Sequence, residues 1–238
     1  MVARTGTATE STFTRAGAMA LPLGVILLVV STAIHPAGEV MDNPAIFRVY
    51  SESDEWIAIH FVQWVAGLLF FGGLVALYYA IKARADSGLA RLGLVAVAVT
   101  AAAMTMLQAV DGVALKWAVD AWTSAPPARE APTFAAAESL RWTEYALQSY
   151  SNILLGITLI LYGLAIAFGA GYARWPGWVA VGSGVAWMAH GVMVAYVGLF
   201  SSIPRGVALV LLGSWAFIMA FLMWRGSTSG PTSAPDRP

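Results

Sequence analysis

Six apolar stretches recur along the chain, and each is long enough, or nearly so, to cross a hydrocarbon core of about 30 Å, which takes about 20 helical residues. They are Ala16–Ile34, Trp56–Ile81, Leu92–Leu115, Tyr145–Phe168, Trp178–Phe200 and Val207–Trp224. In lipid every backbone N–H and C=O must be satisfied within the protein, which a helix does by itself. The expected fold class is therefore all-α, a polytopic membrane helix bundle with six transmembrane helices. Composition agrees: 59% of the 238 residues are hydrophobic and 11% charged, with a mean hydropathy of +0.71, outside the soluble range. The absence of cysteine excludes a disulfide framework, a thiolate metal site and a cysteine nucleophile. A net charge of zero leaves no basic footprint for nucleic acid. The implied partner is the lipid bilayer, and nothing in the sequence sets an oligomeric state.

Orientation follows from Lys and Arg, which favour the cytoplasmic side. With both termini inside, the inner side holds Arg4, Arg15, Lys82, Arg84, Arg91, Arg174, Arg225 and Arg237, whereas the outer side holds Arg48, Lys116, Arg129, Arg141 and Arg205. Ten of the thirteen acids then fall outside, only Glu10, Asp86 and Asp236 being inside. The expected topology is N-in, C-in, in a bacterial inner (plasma) membrane, with two longer outer loops. A cleaved signal peptide ending near Ser31-Thr32-Ala33 competes as a reading of the first span, and it too places residues 36–55 outside.

The Ser/Thr/Pro/Gly-rich segments 1–15 and 226–238 read as disordered cytoplasmic tails flanking a transmembrane domain over 16–225. In the loop 36–55, Asn43 is expected to cap a short helix that opens with Pro44, with Phe47 and Tyr50 on the membrane surface. In the loop 121–140, "SAPPARE" reads as a breaker, and Thr133 as the cap of a helix running into the fourth span. Trp56, Trp175, Trp178 and Trp224 fall at span ends, where an interfacial aromatic belt is expected.

All three histidines lie in spans or at their edges. His35 ends the first span and His60 opens the second, both on the outer side, while His190 lies nearer the middle of the fifth, about 10 Å deeper. Asp111 falls in the outer half of the third span and Glu144 begins the fourth. Arg141, Glu144, Gln148 and Asn152 recur at helical spacing and form one polar stripe. His60 shares a face with Gln63, and Asp111 with Gln108. An Asp at a span centre costs on the order of 3 kcal/mol even on a forgiving scale, so these faces must turn towards one another. The expectation is one buried cluster in the outer half holding Asp111, Glu144, Gln148, Gln108 and at least one of His35 and His60. A structural alternative pairs Asp111 with Arg141 or Lys116 and uses Glu144 and the glutamines as interhelical glue.

The stretch "LLGITLILYGLAIAFGAGYARWPGWVAVGSGVAWMAHGV" (154–192), with the "ARLGLVAVAVTA" entry to the third span, resembles a family of bacterial six-span integral membrane proteins. The "YARWPGW" connection carries most of the likeness. The resemblance implies fold and location, and no activity comes with it.

Three functional classes remain open. In an enzyme or cofactor-binding protein, Asp111 and Glu144 act as acid–base groups, and His35, His60, Asp111 and Glu144 form a ligand set for a metal ion such as Zn, Fe, Mn or Cu. Haem is the alternative cofactor, held by His60 with His190 or His35, and a small molecule bound near His35, His60, His190 and Gln148 is a third possibility. A transporter or proton/cation pathway would use Asp111, Glu144 and His190 as relays. A non-catalytic accessory subunit would use its outer loops as the partner surface. No H-E-x-x-H, paired-His helix or Gly-rich phosphate loop decides among these classes.

Overall fold

The computed structural model describes residues 8–36, 42–169, 171–199 and 203–228. Its elements are all helical: α1 (Ala8–Ala33), α2 (Asn43–Ser51), α3 (Trp56–Lys82), α4 (Gly88–Ala109), a π turn (Val110–Leu115), α5 (Lys116–Thr123), α6 (Pro127–Ala167), α7 (Trp175–Val197) and α8 (Ile203–Thr228). Six helical segments are long and apolar enough to cross a membrane, those built on α1, α3, α4 with its π turn and α5, α6, α7 and α8. Each packs on its neighbours in chain order, and α8 closes on α1, so the six spans form a ring. The ring is filled by an apolar core that includes Leu21, Leu74, Leu77, Leu159, Trp215 and Met219.

The start of α1 and the end of α8 lie at one end of the bundle. The Arg15 Nε donates to Ser227 Oγ at 3.1 Å and the Ser11 hydroxyl to the Ser227 carbonyl at 3.2 Å, tying the start of α1 to the end of α8. Helix α1 already begins at Ala8, inside the stretch read as a tail; residues 1–7 and 229–238 lie outside the described residues.

Two seams of small residues set the closest helix contacts. Gly177, Gly184 and Gly191 of α7 recur every seventh residue and meet Gly163, Gly156 and Ser149 of α6, also seven apart. A Cβ on Gly184 would lie 2.5 Å from the Gly156 carbonyl oxygen, and the Ser149 hydroxyl donates to the Gly191 carbonyl at 2.8 Å. On α1, Gly17 and Gly24 meet α3 in the same manner, and a Cβ on Gly24 would stand 2.6 Å from the Ala66 carbonyl. Association of helices in lipid draws on van der Waals contact, and small residues let the backbones approach closely enough to gain it. A seven-residue period keeps such a seam facing its partner along the whole helix.

At the end opposite the termini, two spans project beyond the bilayer. The continuous helical stretch Gly88–Thr123 has 36 residues and α6 has 41, about 54 and 62 Å at 1.5 Å per residue. Their projecting parts, with α2 laid across them, enclose a second apolar core of Ile46, Phe47, Tyr50, Leu115, Val119 and Trp122. This cap corrects three expectations. Phe47 and Tyr50 are buried under α6 rather than spread on the membrane surface, because α2 has an apolar face that the projecting helices cover. The cap residue of α2 is Asp42, whose Oδ1 accepts from the Ala45 N–H at 3.1 Å; Asn43 is the first helical residue, and its side chain donates to Glu138 Oε1 at 2.9 Å. Finally, α6 starts at Pro127, not at Thr133, whose hydroxyl donates backwards to the Arg129 carbonyl at 2.8 Å. Pro127 suits a first turn because its missing N–H would have no helical partner there.

Exposed aromatics gather towards the two ends of the bundle, where an interfacial belt would lie. Trp117, Trp142 and Tyr196 lie at the cap end, and Phe168, Trp175, Trp178 and Trp224 at the other. Trp142 and Phe168 on α6 are separated by about 39 Å of helix, close to a bilayer with its interfaces. Trp56 departs from the expected belt, being fully buried beneath α2.

Candidate functional site

The polar side chains gather directly beneath the cap, where α3, the π turn and α6 meet. His60 is 2% exposed and its Nδ1 lies 2.8 Å from the Trp56 carbonyl, so Nδ1 carries a hydrogen. Its Nε2 lies 3.1 Å from Asp111 Oδ2, with angles poor for a straight hydrogen bond. A neutral imidazole donating from Nδ1 would point a lone pair at a carboxylate oxygen. The contact is attractive only with a proton on Nε2 or on the carboxyl.

The π turn places Asp111 for this contact. The Asp111 carbonyl accepts from Trp56 Nε1 at 3.1 Å, which satisfies a backbone group that the irregular turn turns aside. Gly112 follows, and a Cβ there would lie 2.5 Å from His60 Cβ, so only glycine lets the two helices approach this closely. Such π turns occur often at functional sites.

The second ion pair is on α6. The Arg141 Nη1 donates to Glu144 Oε2 at 2.7 Å, and both side chains are 2% exposed. The guanidinium lies 5.4 Å from the Tyr50 ring centre and 4.7 Å from that of Tyr145. The charges of Asp111 and Glu144 lie within interaction range of each other. With one proton between His60 and Asp111, and with Arg141 and Glu144 paired, the cluster would be charge-balanced.

The ring of His35 lies 5.1 Å from that of His60, 4.8 Å from that of Trp56 and 6.5 Å from that of Tyr50. Its imidazole is held below the ordinary histidine pKa by burial, then by His60; the Arg141 charge acts in the same direction, while Asp111 and a hydrogen bond from Nδ1 to the Pro36 carbonyl oppose them. Burial likewise pushes the Tyr50 phenol above its usual range, with Arg141 opposing. A histidine that resists protonation in the fold takes up a proton first in the unfolded chain. Stability from His35 is thus fully present above about pH 6.5 and lost as pH falls towards its lowered folded value. The variant His35→Gln is expected to lose less thermal stability than the wild type between pH 7 and pH 5, by at most about 1.4 kcal/mol per pH unit for one proton. Identical pH profiles of the melting temperature would contradict it.

Direct contacts join His60 to Asp111 and set the His35 ring beside that of His60, whereas Glu144 is held by Arg141, a pairing that differs from the structural alternative. Asp111 meets His60, whereas Arg141 is taken by Glu144 and Lys116 by Asp120 at 2.7 Å and the Ser51 carbonyl at 2.9 Å. Gln108 pairs with Gln63 at 3.5 Å, one turn below His60–Asp111, and Gln148 donates to Asn152 at 3.0 Å. His190 stands apart on α7, with Trp187 as ring neighbour and the Arg205 charge nearby. Its neighbour Gly191 packs on Ser149 and Asn152, roughly two turns below Glu144. Among the described residues no three His, Asp or Glu side chains converge as a metal-ligating group. The Nδ1 of His60 is bound to a carbonyl and its Nε2 faces the Asp111 carboxylate, so a haem iron on Nε2 would share that space with Oδ2.

Two participants escaped the sequence argument, Trp56 and Tyr50. Trp56 sits one turn before His60, and that i, i+4 spacing on an apolar helix was the available signal; Tyr50 had none beyond the apolar face of α2. No family model, curated protein or solved structure matches the chain.

Proposed function

We propose that this is an integral membrane protein whose capped end faces the outside and carries a proton-exchanging site for a small cation. The carrying observation is the His60–Asp111 contact at 3.1 Å with Nδ1 bonded to the Trp56 carbonyl, an arrangement that a single proton shared between Nε2 and Oδ2 would make attractive. Release of that proton would leave the charge-balanced cluster one unit negative, which a cation can neutralise. Asp111 is the group that exchanges; at 15% exposure it is the most open of the four paired side chains. Glu144 holds the neighbouring negative charge, and His60 positions the proton. That no third His, Asp or Glu side chain converges with this pair among the described residues favours this reading over a histidine-rich metal centre.

The test compares the wild type with Asp111→Asn, since Asn keeps the shape and can donate to Nε2 without a charge. Thermal melting of the purified full chain is followed with Na⁺, K⁺, Mg²⁺, Mn²⁺ or Zn²⁺ at constant ionic strength and at two pH values. At least one cation should stabilise the wild type saturably, less so at lower pH, and leave Asp111→Asn unmoved. The proposal fails with no saturable shift in the wild type, or with equal shifts in both proteins.

The orientation, N-in and C-in in a bacterial inner membrane, is supported by the excess of Lys and Arg on the side of the termini and by the resemblance of residues 154–192 to bacterial six-span proteins. The cysteine-free sequence makes the check direct. On intact cells an impermeant maleimide should label Asp54→Cys and spare Ala83→Cys; the reverse pattern would invert the protein.

A further inference from the structure

A groove of about 390 Å³ opens between α6 and α7 at the cap-end membrane boundary, on the far side of Tyr145 from the buried ion pair. Trp142, Tyr145, Tyr150 and Tyr196 all line it. Trp142 and Tyr145 stand almost perpendicular, at 80° with ring centres 5.6 Å apart, and so make a corner of two aromatic walls. The other wall is the end of α7, where Gly198 at φ 78° brings the backbone against the Tyr145 ring; a Cβ there would lie 3.1 Å from Cε2. Below the aromatics the lining is apolar, with Ala146, Val194, Ala195 and Val197. No Lys or Arg is among the lining residues.

We infer that this groove binds a membrane-partitioned organic cation, its ammonium head against the aromatic corner and its apolar chain along α7 towards the bilayer. Ring faces carry negative quadrupole potential and attract ammonium groups, most strongly where water is excluded. Charge points the same way, because carboxylates outnumber basic side chains by two to one on the cap side. Arg141, behind the groove, is neutralised by Glu144 at 2.7 Å. The groove's volume falls in the ordinary range for small-molecule sites. Its open side lies at the level of Trp142 and Tyr196, which are 55% and 85% exposed, so the ligand enters from the bilayer interface rather than through the cap.

The experiment uses the full chain in lipid nanodiscs with decyltrimethylammonium as probe and tetramethylammonium and decyl maltoside as comparators. Decyltrimethylammonium is expected to bind saturably and to lose about tenfold in affinity in Tyr196→Leu, with recovery in Tyr196→Phe, which restores the ring. Tetramethylammonium should bind at least about tenfold more weakly for want of the chain. Decyl maltoside should not compete. Competition by decyl maltoside at equal concentration would reduce the groove to an apolar surface, equal binding of tetramethylammonium would overturn the membrane source, and no saturable binding or an unaffected Tyr196→Leu would overturn the site. None of these residues belongs to the His60–Asp111 pair, so a negative result here leaves the cation test on Asp111 standing, and the converse holds.

Discussion

Gly184→Leu is expected to prevent α6 and α7 from packing, leaving a chain that aggregates on detergent extraction or melts far below the wild type. Any Cβ on Gly184 meets the Gly156 carbonyl oxygen at 2.5 Å and Ile160 Cγ1 at 2.7 Å, and the first of these is backbone, which no rotamer change can move. Overpacking in a deformable core costs about 1–3 kcal/mol, and here the helices themselves must separate. Separation would also strain the Ser149–Gly191 hydrogen bond one heptad away. Gly72 provides the control: a Cβ there has nothing within 4 Å, so Gly72→Leu should extract and melt like the wild type. Monodispersity on size-exclusion chromatography with melting temperature checks both. A normal Gly184→Leu would mean that the α6–α7 seam is looser than its backbone contacts imply.

The spans were legible in the sequence because hydrocarbon imposes one rule on every residue, and length with apolarity suffices to meet it. Their ends were less so. The third and fourth spans were placed at Leu92–Leu115 and Tyr145–Phe168, yet the helices run on to Thr123 and begin at Pro127. Beyond the bilayer the pattern changes from uniformly apolar to amphipathic, with Val119, Trp122 and Ala137 turned inward, and a hydropathy window falls away even though the helix continues. Pro126 and Pro127 interrupt the apolar pattern like a breaker, yet they sit where α6 begins.

Within the site, the polar residues at helical spacing were readable, and His60 does meet Asp111 with the His35 ring beside it, while Glu144 is held by Arg141. Their pairing was not. It depends on the π turn at Val110–Leu115, and that turn is held by contacts from another helix, Trp56 Nε1 to the Asp111 carbonyl and His60 against Gly112. A local pattern contains no such information. The glycine seams differ in kind, since Gly177, Gly184 and Gly191 at a strict seven-residue interval are visible in the sequence to anyone reading for small residues rather than for apolar ones.

Arg141→Met is expected to be the most damaging change at the site itself, at a cost of about 3–5 kcal/mol, because it leaves the Glu144 carboxylate buried without its partner. Both side chains are 2% exposed, so the unpaired charge would have almost no solvent to turn to. The double variant Arg141→Met/Glu144→Leu removes both charges, and a buried ion pair replaced by apolar side chains of similar volume is often neutral or better. It should recover most of the lost stability, making the two changes strongly non-additive in a double-mutant cycle. Some loss will persist, since Met cannot reproduce the guanidinium contacts with Tyr50 and Tyr145. Melting temperatures of the wild type, both single variants and the double variant decide the matter, and additive losses would show that the pair is not coupled. The same four proteins separate architecture from function. If Arg141–Glu144 only holds α6 under the cap, the recovered double variant should show the wild type's cation-dependent stabilisation; if Glu144 supplies charge to the Asp111 site, the double variant should fold and yet fail to respond.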